Sequence, residues 1–301
     1  MKTAAETAPG TPSETVRTAD APNVPPHVGR GRRIVEALAF WFVWVALGYG
    51  AHLSADTYLL AGVPLTVAFQ LLVRRAPLSA LWVRDRAPAR IGKLVVGLGL
   101  LFGATPALQF VRACRSSDAS HLITASWELC GVAGAFAAAY ALVQFRRSTW
   151  RDLIGCWAIV GTVGATLFIA AAIGQAQLRQ QGVRLDWATG LISLVQYFVV
   201  GFVLEEVAFR GLLDAHVHHP GEKASFATAL FVSVLWGLWH LPLKVPEAGA
   251  QPLWATALAL AITHSLLGVP LSLFWRRSGN LAVTSFSHAF VDAVRNSLGV
   301  G

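Results

Sequence analysis

Residues 187–213 read WATGLISLVQYFVVGFVLEEVAFRGLL, and the fold class turns on this stretch. From Trp187 to Leu204 no Asp, Glu, Lys or Arg interrupts the run. That approaches the roughly 20 apolar residues with which an α-helix, rising about 1.5 Å per residue, crosses a bilayer. The run then meets Glu205, Glu206 and Arg210. Ionisable groups at membrane depth cost roughly 2.5–3.5 kcal/mol each on insertion scales, so their presence there asks for a function.

Outward from this stretch the pattern repeats. Apolar segments fall at 34–53, 57–73, 93–110, 122–145, 153–174, 187–213, 224–241, 253–275 and 281–298. The last is short and carries Asp292 and Arg295, so it spans only in part. Composition agrees: 55% of the 301 residues are hydrophobic and 13% charged, where a soluble domain carries about a quarter as charges. The expectation is an all-α polytopic membrane helix bundle over 31–301, with about eight or nine transmembrane segments. Residues 1–30 lack an apolar run and read as a disordered cytoplasmic tail.

The net charge of +8 comes from basic residues between the apolar segments, a topology signal rather than a nucleic-acid surface. The N-terminal stretch and the second, fourth and eighth connections are the richer set, with Arg74, Arg75, Arg84, Arg146, Arg147, Arg276 and Arg277 among them. By the positive-inside rule they face the cytoplasm, which predicts a multi-pass protein of the cell membrane with a cytoplasmic N-terminus. Cys114, Cys130 and Cys156 have no metal or disulfide spacing. No internal repeat of the transporter kind is visible.

Three segments hold the polar residues that matter. Glu206 and Arg210 lie four apart on one helix face and can neutralise one another. Glu205, about 100° around the helix, is left for chemistry. The seventh segment ends in Trp236-Gly237-Leu238-Trp239-His240, and the ninth carries His288 and Asp292 four apart. Alone, the acidic motif and the His288–Asp292 pair read equally well as structural polar contacts between helices, and a lone His240 after an aromatic face is more often structural.

Together they form EExxxR, then aromatic-xxx-His about 30 residues later, then HxxxD. This set resembles the CAAX protease and bacteriocin-processing family of intramembrane proteases, which includes the Ras-converting CAAX endoprotease. Phe209-Arg210-Gly211-Leu212-Leu213 and Arg276-Arg277-Ser278-Gly279-Asn280-Leu281 read like the family's surroundings for the first and last motifs. The resemblance covers about 187–298, a protease-like core.

The resemblance implies that Glu205, helped by His240, activates water, and that Glu206 and Arg210 form a supporting ion pair. His288 and Asp292 stand where the family places a His and an Asn that serve the oxyanion. Two residues depart from the pattern. Trp236 replaces the usual Phe, a tolerable aromatic change. Asp292 replaces Asn; an ionised Asp only accepts hydrogen bonds, so it is protonated, orients His288 or ligates a metal. Peptide hydrolysis needs an activated water and a stabilised oxyanion. Glu205, His240 and His288 could alternatively hold zinc with one open position, although no HExxH helix is present. The implied partners are membrane lipid and a membrane-associated protein or peptide substrate, with no nucleic acid. A non-catalytic immunity or scaffold role, or a proton-coupled transporter, are the competing functions.

Depth poses a problem. His240 lies about 24 Å of helix from the basic side and Glu205 only about 12 Å, so the sixth helix must extend past Leu213 toward His218 for the two to meet. His216, His218 and His219 then form a solvated helix end. Glu36, Glu128 and His264 carry no motif and read as structural contacts.

Overall fold

The computed structural model describes residues 29–84, 91–118, 120–219, 222, 225–244 and 252–300. The expected tail over 1–30 falls almost wholly outside them. The chain is a helix bundle: α1 Arg30–Gly50, α2 Ala55–Ala68, α3 Lys93–Arg115, α4 His121–Val143, α5 Arg147–Cys156, α6 Thr162–Arg179 and α7 Trp187–Val200. After a π-helical stretch, Val207–Asp214, come α8 Ala215–Val217, α9 Phe226–Trp239, α10 Leu253–Ser278 and α11 Leu281–Ser297. Among the described residues, seven helical runs are long and apolar enough to cross a membrane, and Trp187–Val200 is a shorter apolar helix. The outer surface is apolar too: Phe42, Leu72, Leu101 and Ile192 are exposed, an extent of exposure that water-soluble monomers avoid.

Local chemistry sets several helix ends. The Asp186 carboxylate accepts from the amides of Ala188 and Thr189 and starts α7. Asn280 starts α11 by accepting from the Ala282 amide, and its amide nitrogen donates to the Ala141 carbonyl 2.8 Å away. Gly279, at φ +62°, ends α10 in the left-handed conformation that glycine adopts without strain.

Three expectations change. The fifth segment is longer than read: α5 and α6 join through a wide turn at Trp157–Gly161 into one run of 33 residues. The sixth is not one helix. It breaks after Val200 and resumes as the π stretch, where each turn holds an extra residue and the rise per residue is smaller. A two-stranded antiparallel sheet, β1 Val183–Leu185 with β2 Leu298–Val300, adds to the helical fold.

The connections grouped by their basic residues do lie together. Arg33 of α1 pairs with Glu222, Arg277 with Asp152 at 2.7 Å, and the Arg84 amide donates to the Gly279 carbonyl. At the opposite end of α9, the Tyr58 hydroxyl donates to the Trp239 carbonyl at 2.8 Å. Close approach depends on small residues, as between membrane helices generally. A methyl group built on Gly237 would run into the Leu260 carbonyl oxygen, so this glycine lets α9 press against α10.

Candidate active site

The depth problem disappears in the folded chain. The helical path from Glu205 runs on through the π stretch and α8 to Val217, and Glu205 meets the C-terminal end of α9. Its Oε2 accepts a hydrogen bond from the Trp236 indole Nε1–H at 2.7 Å and lies 3.8 Å from His240 Nε2.

His240 is held by its own helix. Its Nδ1 lies 3.0 Å from the Trp236 carbonyl oxygen. A carbonyl can only accept, so Nδ1 carries the proton, and when the ring is neutral Nε2 offers a lone pair on the side of Glu205. A water between Glu205 Oε2 and His240 Nε2 would have an acceptor on each side.

Glu206 and Arg210 pair as the spacing requires, at 3.1 Å, and both are fully buried. The same Glu206 oxygen lies 3.0 Å from His288 Nδ1. On the other side of that ring, Nε2 lies 3.6 Å from Asp292, whose second oxygen is held by Arg295 at 2.9 Å. A file of alternating charge thus runs Arg210, Glu206, His288, Asp292, Arg295. With a carboxylate facing each ring nitrogen, both can carry a proton, which makes His288 an N–H donor. Arg295 answers one question raised by Asp292: the departure from Asn comes with a cation three residues on.

Trp236 is the hub. The Arg210 guanidinium lies 4.2 Å above its ring, and its edges meet His288 at 5.1 Å and His264 at 4.6 Å between ring centroids. His264, read from sequence as an unrelated structural contact, packs over His240 with ring centroids 4.3 Å apart. Its Nδ1 bonds the Leu260 carbonyl at 2.8 Å, so its Nε2 is a second acceptor beside that of His240. Nothing in the sequence signalled this, because His264 stands in no motif.

The zinc expectation fares differently. Among the described residues no three His, Cys, Asp or Glu side chains gather closely enough to hold a metal ion. The Glu205 oxygen nearest His240 accepts from the indole, and His288 turns its nitrogens to Glu206 and Asp292. As arranged, Glu205, His240 and His288 do not fit a metal centre.

A second buried network braces this one. Arg276 of α10 forks onto Asp214 at 2.9 and 2.6 Å, and also donates to the Ser225 carbonyl and the Thr228 hydroxyl at the start of α9. The cluster expected to be a solvated helix end is also packed. His216 lies 3.0 Å from Glu36, and His218 is buried within 3.9 Å of Glu222. Burial pushes both imidazoles down to about 4, with Arg74 near His216 and Arg276 near His218 adding to the effect.

Residues 186–294 match the family model of the Type II CAAX prenyl endopeptidase Rce1-like proteins. No curated protein and no solved structure matches the chain. The matched stretch contains all three motifs and the Arg276–Asp214 network, stops one residue short of Arg295, and bears out the resemblance read from Glu205 to Asp292. It supports a CAAX-type intramembrane protease kind of function.

Proposed function

We propose that the chain is an intramembrane endopeptidase that hydrolyses a peptide bond in a membrane-associated substrate, a prenylated CAAX-like C-terminus being the reading closest to the matched family. The observation that carries this is the 3.8 Å approach of His240 Nε2 to Glu205 Oε2. The two residues come from separate elements in a bundle whose outer surface is apolar. In this reading Glu205 takes a proton from a water that His240 helps to hold. The hydroxide attacks the scissile carbonyl carbon, and the oxyanion forms near His288, whose Nε2–H, 3.6 Å from Asp292 and so outside hydrogen-bond distance of it, turns to the oxyanion. The proton on Glu205 then passes to the leaving amine as the C–N bond breaks. Glu206 and Arg210 fix His288 and the helix that carries Glu205. The N-terminus lies on the cytoplasmic side, as the basic connections imply.

The test is cleavage of a panel of lipidated and unlipidated C-terminal peptides by purified protein in lipid nanodiscs. Glu205→Ala is expected to abolish turnover while leaving insertion and thermal melting unchanged. Undiminished turnover by that variant would refute the assignment. A protective phenotype surviving loss of Glu205, His240 and His288 together would favour an immunity or scaffold role.

A further inference from the structure

The aromatic residue that opens the second motif does more than pack. Trp236 touches four other polar residues of the site besides Glu205: its carbonyl holds His240, its face carries Arg210, and its ring meets His264 and His288 edge to face. A phenylalanine could keep all of those contacts. It could not keep the bond from Nε1–H to Glu205 Oε2 at 2.7 Å.

That bond is well placed to govern geometry. A Glu side chain has three rotatable bonds, and at its site a misplaced carboxylate forfeits the alignment on which proton transfer depends. The indole is 2% exposed and clamped on several sides, so its N–H is a fixed point rather than a mobile donor. A hydrogen bond to a charged group is among the stronger kinds, and burial strengthens it further. Trp236 and Glu205 also come from separate elements, α9 and the turn before the π stretch, so the bond fixes one against the other.

We propose that Trp236 is a positioning residue of the reaction, acting through its indole N–H on the Glu205 carboxylate. The inference rests on the reading of Glu205 as the base. It makes the Trp for Phe exchange a functional feature of this chain, and the exchange read from sequence as tolerable becomes one with a cost to reverse.

Two replacements separate the donor from the bulk. Trp236→Phe keeps a ring, and incorporation of 3-benzothienylalanine at position 236 keeps the full bicycle while sulfur takes the place of N–H. Both are expected to lower kcat by roughly 10–100-fold with KM changed less than about threefold. Melting temperature should hold for the benzothienyl protein. The Trp236 indole N–H resonance of the ¹⁵N-labelled wild type should lie downfield and move in Glu205→Gln. Wild-type kcat in the benzothienyl protein would overturn the proposal, whatever Trp236→Phe does, since the residue would then act by packing alone. An unmoved resonance in Glu205→Gln would overturn it as well. Full activity in Glu205→Gln would be a different failure: it would remove the base itself, and the proposal with it.

Discussion

The α3–α4 hairpin and the stretch from Glu205 to Arg295 use polar residues in opposite ways. In the hairpin, Thr124 donates to the Ser120 carbonyl, Ser126 to Leu122, and Arg112 to Gln109, each within four residues along the chain. In the C-terminal stretch the partners are distant: 31 residues separate Trp236 from Glu205, 62 separate Arg276 from Asp214, and 82 separate His288 from Glu206. Local bonds only satisfy a helix, whereas distant ones choose which helices lie together. The hairpin serves as membrane scaffold, whereas the C-terminal stretch is a tertiary polar structure inside the bundle.

The contrast can be broken at Arg210. Arg210→Ala leaves Glu206 buried beside His288 without its cation, and removing one partner of a buried pair costs about 3–5 kcal/mol. Arg112→Ala in the hairpin should stay within about 0.5 kcal/mol. Unfolding followed in mixed micelles compares the two; equal losses would erase the distinction.

A smaller effect is expected at Asp292. Asp292→Ala removes the acceptor between His288 and Arg295 and should lower kcat about tenfold. Asp292→Asn retains a carbonyl oxygen and should cost less than about threefold. Peptide-cleavage rates decide this, and an Asn variant as poor as Ala would show that charge at 292, not acceptance, is what His288 needs.

A pH dependence is expected at the basic end. His216 and His218 are held at about 4 against an ordinary 6.5, so the unfolded chain binds more protons between those values. Stability is therefore full above about 6.5, falls as pH drops toward 4, and levels off below it. Melting temperature should decline by roughly 5–15 °C from pH 7 to 5. A His216→Gln, His218→Gln double variant should flatten the slope.

Much of this was legible in the chain. Apolar runs of bilayer length predicted the bundle, and four-residue spacing predicted the Glu206–Arg210 pair. The break after Val200 was not legible, because a π-helical stretch carries the same apolar residues as an α-helix. His264 was hidden for a related reason: it reaches the site only because Gly237 lets α10 close on α9, an effect of backbone clearance that no side-chain pattern reports. Trp236 was visible as an aromatic, but the direction of its N–H is decided by the helix that brings Glu205 alongside. The partnership of Asp214 with Arg276 lay across 62 residues, and the basic pair at 276–277 read as a topology signal and as the flank of the last motif, neither of which names Asp214 as a partner.

Arg276 lies outside all three motifs, yet one guanidinium staples the π stretch to α9 from the end of α10, a residue pair short of where α11 begins. Anyone transplanting the motifs into another helical scaffold, or swapping α9 for that of a relative, would have to carry Asp214, Thr228 and Arg276 across as one cargo. Without them the imported residues would share a sequence but not an address.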